Sequence, residues 1–146
     1  MITASTRLKK ILDETPKMLL NFSDEAASKI PAPGKWCKKE ILGHLIDSAG
    51  NNHQRFVRMQ IENKLNLPQY KQNEWVEVQK YRNRNWIDLV KLWMGLNMHI
   101  VHVFENVDAS KLGNTALFPE YGELTLQFII DDYVDHMEHH LKQMMK

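Results

Sequence analysis

The feature that most constrains this chain is an apolar stripe near its C-terminus. Leu126, Ile129, Ile130, Tyr133, Met137, Leu141 and Met144 recur at intervals of three and four residues, the repeat of one face of an α-helix. A stripe that long cannot stand alone in water and needs other helices to cover it. Three further stretches offer matching faces. They are Leu8, Ile11 and Leu12 with Leu19 to Phe22; Ile41, Leu42, Leu45, Ala49, Phe56 and Met59; and Trp86, Leu89, Val90, Trp93, Leu96, Ile100 and Phe104. No segment alternates with the period of a strand. The pattern predicts an all-α four-helix bundle. At 146 residues the chain is expected to form one domain over 1–146.

Turn chemistry sets the expected boundaries. The first helix is read from about Ser5 to about Ala27, with Pro16 marking a kink or break and Ser23-Asp24-Glu25 as an alternative start for a second short helix. Pro31, Pro33 and Gly34 end it. The second helix runs from about Lys38 to about Lys64. An irregular stretch follows, with a short helix from Glu74 to about Lys80 capped by Asn73. The third helix spans about Asn85 to Asn106. Val107 to Gly122 is a connection, either an extended crossover or a cap on the bundle end, and the last helix starts near Glu123.

Polar residues beside these stripes are the candidates for function. His136 and His140 sit four apart on a shoulder of the last stripe, one helical turn from each other. His139 points roughly 100° away from His140 and is left out. On the second helix, His44, Ser48, Asn52 and Arg55 form a row beside the apolar stripe, within about 80° of one another. A polar row there is what a cavity inside a bundle requires. Asp47 lies about 60° to the other side of His44, while His53 falls on the far side. His44, His136 and His140 are therefore a candidate three-imidazole site for a divalent metal. The alternative, that they flank the core hydrogen-bonded to neighbours, stays open on spacing alone. Three protein ligands leave coordination positions for water or substrate, and the missing cysteine ligands speak against a structural zinc. His99 and His102 lie opposite the core face of the third helix and are expected to be solvated or at a subunit contact.

Several classes are disfavoured. A net charge of +1 offers no nucleic-acid footprint. One cysteine, Cys37, excludes an internal disulfide framework. No run of eighteen apolar residues predicts a membrane span, and no signal peptide is read, which makes the cytoplasm the expected location. The zincin motif His-Glu-x-x-His and the Glu-x-x-His of di-iron bundles are both absent.

Two segments carry a family resemblance. Trp36-Cys37-Lys38-Lys39-Glu40-Ile41-Leu42-Gly43-His44-Leu45-Ile46-Asp47-Ser48, followed by Arg55-Phe56, and the C-terminal His136-Met137-Glu138-His139-His140-Leu141-Lys142-Gln143 resemble the DinB-like (DinB/YfiT) superfamily. The resemblance spans nearly the whole chain, though the middle third matches only in helix pattern. It implies a four-helix bundle with a divalent ion, zinc or nickel, held by His44, His136 and His140. It also implies a small-molecule substrate. The expected activities are transfer of a low-molecular-weight thiol, such as bacillithiol, mycothiol or glutathione, or hydrolysis; a non-catalytic protein holding a small ligand in its cavity is the third reading.

Within that frame Arg55 is a candidate for a cofactor carboxylate. Asp47, Tyr133 and Gln143 are candidates to support the metal ligands or to orient water and substrate. A hydrolase needs a carboxylate base beside the open position, and the helical wheel places neither Asp47 nor Asp132 there. Exposed apolar surface makes a homodimer plausible without saying which face it would use.

Overall fold

The computed structural model describes residues 2–146, with side chains from Ala4 onward. In chain order, α1 (Ile2–Leu19) is followed by a short α2 (Asp24–Ser28), and α3 (Lys38–Ile61) is the longest helix. A two-residue strand β1 (Leu65–Asn66) leads to α4 (Gln72–Gln79) and then to α5 (Trp86–Glu105). A hairpin of β2 (Thr115–Phe118) and β3 (Gly122–Thr125) then enters α6 (Leu126–Met144). The four long helices form the expected bundle, α3 packing against both α5 and α6, and α1 covering α5.

Where the boundaries differ, local chemistry explains it. The first expected helix is two. Pro16 lacks the N–H that would bond the preceding turn, and α1 ends at Leu19, three residues beyond it. The Ser23 hydroxyl then accepts the Ala26 N–H at 3.0 Å and starts α2. Helix α4 begins at Gln72 with Lys71 before it, not under an Asn73 cap. Asn85 caps α5, its Oδ1 accepting the Asp88 N–H at 3.1 Å.

The larger correction is β structure. β1 pairs parallel with β2, and β2 antiparallel with β3. Ala116 and Phe118 face the core while Leu117 is exposed. Leu117 is apolar at its exposed position, so Ala116-Leu117-Phe118 shows no apolar–polar alternation in the sequence. Gly122, at φ +77°, supplies the left-handed residue where β3 begins. Glu123, expected to open the last helix, lies in β3, and the Thr125 hydroxyl caps α6 by accepting the Phe128 N–H at 3.1 Å.

The core is aromatic at its centre. Trp86, Trp93, Phe56 and Phe104 are fully buried, each worth about 1.5–3 kcal/mol of transfer free energy or more. Phe56 meets Phe104 edge-on at 5.0 Å and Tyr133 at 5.4 Å. Trp86 also ties elements together, its indole Nε1–H donating to the Leu19 carbonyl at 2.8 Å. Asp24 accepts from the Trp86 N–H and from the Lys39 ammonium, linking α2, α3 and α5. Among the described residues no helix is long and apolar enough to cross a membrane.

Candidate metal centre

Antiparallel packing of α3 and α6 brings the start of one helix to the end of the other. His44, on α3, meets His136 and His140, on α6, and one ligand-capable nitrogen from each ring lies within 4.8 Å of the other two. The ring centroids are 5.1 Å apart for His44–His136, 4.8 Å for His44–His140 and 4.5 Å for His136–His140. His44 Nε2 and His136 Nε2 face each other at 3.2 Å. Trp36 closes the outer side of His44 at 5.2 Å between ring centroids.

This donor set fits a divalent ion. Two nitrogens held about 2.0–2.1 Å from one ion at a tetrahedral angle stand about 3.3 Å apart, close to the separation of the His44 and His136 nitrogens. The rings are neutral at pH 7, their lone pairs free to coordinate. Burial, reinforced by the charge each would place beside the others, pushes His44 and His136 down to about 4. Burial also lowers His140. Gln143 Oε1 lies 3.0 Å from His140 Nδ1. Accepting that N–H leaves His140 Nε2 as the bare nitrogen. Three imidazoles without thiolate suit zinc or nickel.

The wall behind His44 depends on Gly43. The Tyr81 ring lies directly on the Gly43 Cα, where any Cβ would enter it. Its hydroxyl donates to Asp47 Oδ1 at 2.6 Å, and Gln79 Nε2 donates to the same oxygen at 2.8 Å. Asp47 is thus held by Tyr81 and Gln79, not by His44 or an arginine. Burial raises its pKa, and those two hydrogen bonds only partly offset the shift. His44 Nδ1 is buried without a partner.

Beyond the histidines a cleft of about 390 Å³ opens between α3, α6 and the hairpin. Ser48, Asn52 and Arg55 form one wall; Asp132, Tyr133 and His136 form the other. The row on α3 therefore borders a cavity as its spacing requires. Tyr133 is buried, and its hydroxyl donates to Asn97 Oδ1 at 2.6 Å. Burial drives its pKa well up. Arg55 donates to the Pro68 carbonyl at 3.2 Å and lies over the Phe118 ring at 5.0 Å. Asp132, one turn before His136, stands at the rim of the same cleft. A wheel locates a residue on its own helix only, whereas a cavity is defined by several elements.

Other residues stay outside the site. His139 is exposed and not part of the cluster. His53 and His99 meet edge-on at 5.1 Å, and His102 stacks beside His99 at 6.1 Å, His99 and His102 both exposed. Cys37 is buried and its thiol pushed up by burial, which keeps it unreactive. Sequence reasoning missed Tyr70 and Tyr121, which face the cleft from a loop and the hairpin; no local pattern announced either.

A helical bundle with three converging imidazoles at the head of an open cleft defines a class, that of helix-bundle proteins whose histidines can hold a metal ion. The chain belongs to the DinB superfamily, whose sequence profile matches residues 7–144. Relatives include proteins whose names propose, without asserting, a metal-dependent hydrolase. One from Bacillus cereus (strain ATCC 10987 / NRS 248) is 28% identical over 138 residues, covering 92% of this chain and 79% of the relative. One from Bacillus mycoides (strain KBAB4) is 28% identical over 107 residues, covering 73% of this chain and 61% of the relative's length. One from Oceanobacillus iheyensis is 25% identical over 121 residues, covering 83% and 69%. Among solved structures, YfiT from Bacillus subtilis superposes with a TM-score of 0.80 at 20% identity, covering 94% of this chain and 81% of that one. Its description likewise proposes a metal-dependent hydrolase, with an unusual four-helix bundle topology. At that identity the likeness establishes the fold.

Proposed function

We propose that this protein is a metal-dependent hydrolase of a small-molecule substrate, with His44, His136 and His140 as ligands of a zinc or nickel ion and Asp132 as the proton acceptor. The observation that carries the reading is the sharing of one cleft by His136 and Asp132, one helical turn apart. The names of the relatives point the same way. When bound, the ion supplies Lewis acidity, lowering the pKa of water and polarising a carbonyl.

The chain's own residues do the rest. Asp132 takes the proton of the attacking water and returns it to the leaving group. Burial and the nearby charge of Asp135 raise its pKa, which eases that return. Gln143 fixes the His140 ring by accepting its Nδ1–H, and Tyr81 with Gln79 holds Asp47 in place one turn after His44. Tyr133, committed to Asn97, shapes the floor of the cleft.

A second reading is transfer of a low-molecular-weight thiol. It is favoured by Arg55, a cation in the same cleft with room beside it for a cofactor carboxylate. Turnover separates the two. The purified protein, its metal content fixed by X-ray fluorescence, is assayed on an ester and amide panel and on thiols paired with a chloro-aromatic. Hydrolysis that needs metal and falls about 10²-fold or more in Asp132→Asn supports the first reading. Thiol-dependent turnover indifferent to Asp132→Asn overturns it.

A further inference from the structure

We propose that the substrate carries a carboxylate, held by Arg55 at the end of the cleft away from the histidines. The inference rests on the proposed function for the chemistry at the other end of the substrate, but not for the binding itself.

Arg55 is half-buried and has no carboxylate within salt-bridge distance among the described residues. Its polar partners are neutral: the Pro68 carbonyl at 3.2 Å and Asn52 Oδ1 at 3.5 Å, the second a marginal contact. Five N–H donors in a planar fork are thus met by two acceptors. The ring centroids of Phe118 and Tyr70 lie 5.0 Å and 5.9 Å from the guanidinium carbon. Aromatic rings at that range attract the cation and displace water from around it. Burial is the largest influence on the group and disfavours its charge, so the protein holds a cation here at a cost. An anion entering the cleft removes that cost.

The occupant's charge follows from the surroundings. One arginine is present, with no lysine and no second arginine lining the cleft. A single fork matches a singly charged carboxylate bidentately and balances only half the charge of a dianionic phosphate. Asp132 does not fill the role: it lines the cleft but makes no ion pair with Arg55.

Length follows from helix geometry. Arg55 is eleven residues after His44 on α3, about three turns and roughly 16 Å along the axis on nearly the same face. The guanidinium reaches back toward Asn52, toward the helix N-terminus, as helical side chains do. About 10 Å then separates the carboxylate from the bond presented to the histidines. Asp132, one turn before His136 on α6, lies between the two ends.

The test is binding of hexanoate against hexanamide, its uncharged isostere, followed by NMR chemical-shift titration on the protein as purified and again after EDTA. Hexanoate is expected to bind at least tenfold tighter than hexanamide, and the preference to survive EDTA. Arg55→Gln is expected to abolish the preference while leaving hexanamide unchanged. Arg55→Lys keeps the charge but loses the fork, and is expected to weaken hexanoate at least threefold; it serves if Arg55→Gln fails to fold. Equal binding of the two probes, a preference lost with EDTA, one retained in Arg55→Gln, or one undiminished in Arg55→Lys overturns the proposal. Inorganic phosphate binding tighter than hexanoate overturns the assignment to carboxylate. Metal-dependent binding of glutathione through Arg55, coupled to thiol turnover, would leave this subsite standing and overturn the hydrolase reading.

Discussion

Gly43→Ala is the sharpest probe of how this site is built. In an exposed helix the change stabilises by about 1 kcal/mol, because alanine is the better helix former. Position 43 is different. The new Cβ would stand 2.6 Å from Tyr81 Cε2 and nearer still to Cγ and Cδ2, well inside van der Waals contact. The clash is with a ring, not the tip of a flexible chain, and that ring is pinned by its hydroxyl bond to Asp47 at 2.6 Å. Overpacking of this kind costs about 1–3 kcal/mol. If Tyr81 swings away, Asp47 loses a charge-assisted hydrogen bond worth about 1.5–3 kcal/mol. With both costs in play and the propensity gain of about 1 kcal/mol subtracted, the net is a destabilisation of about 1.5–5 kcal/mol. For a chain of this size that lowers Tm by about 5–20 °C. Thermal and urea unfolding followed by circular dichroism measure it. Gly50→Ala is the internal control, since nothing lies within 4 Å of its added Cβ, and it is expected to be neutral or stabilising. In a Tyr81→Ala background the cost of Gly43→Ala is expected to vanish. The reasoning fails if Gly43→Ala behaves like Gly50→Ala, or if its cost persists without the Tyr81 ring.

Four further outcomes follow. His44→Ala is expected to reduce bound metal from about one ion per chain to near zero, read by metal-edge X-ray fluorescence, and to erase the fall in Tm that EDTA causes in the unaltered protein; unchanged metal content would remove His44 from the site. The metal-free protein is expected to lose stability as pH falls from about 6.5 to about 4. His44 and His136 titrate near 4 when folded and near 6.5 when unfolded, so the unfolded chain binds more protons in that window and stability rises with pH. The pair contributes on the order of a few kcal/mol, and a urea midpoint flat across the window would contradict the burial argument. Tyr133→Phe leaves Asn97 Oδ1 buried without its partner, and is expected to cost about 1–3 kcal/mol with metal content unchanged; coincident loss of metal would show that Tyr133 supports the centre directly. Gln143→Ala frees the His140 ring and is expected to weaken metal affinity about 10–100-fold, measured by competition with a chromogenic chelator, with an unaltered affinity counting against the role of Gln143.

Local pattern carried the bundle and its histidines. The stripes on α3, α5 and α6 predict which faces meet, because helical periodicity is written every three or four residues and survives errors at the ends. The spacing of His136 and His140, with His44 on the polar shoulder of α3, marks the trio in the sequence as a candidate site. What the chain-local view cannot contain is decided by contacts between distant segments. The alternation of β2 is masked by the apolar, exposed Leu117, so nothing local announces that Tyr121 lines the cleft or that Phe118 packs against Arg55. Asp47 could face His44 on a wheel, yet Tyr81 and Gln79, more than thirty residues later, take its oxygen. The wheel places Arg55 in the polar row; only the fold shows that, among the described residues, no carboxylate lies within salt-bridge distance of it. A residue's angle on its own helix depends only on sequence; its electrostatic surroundings depend on which other elements arrive there, and those are set by the packing of the whole chain.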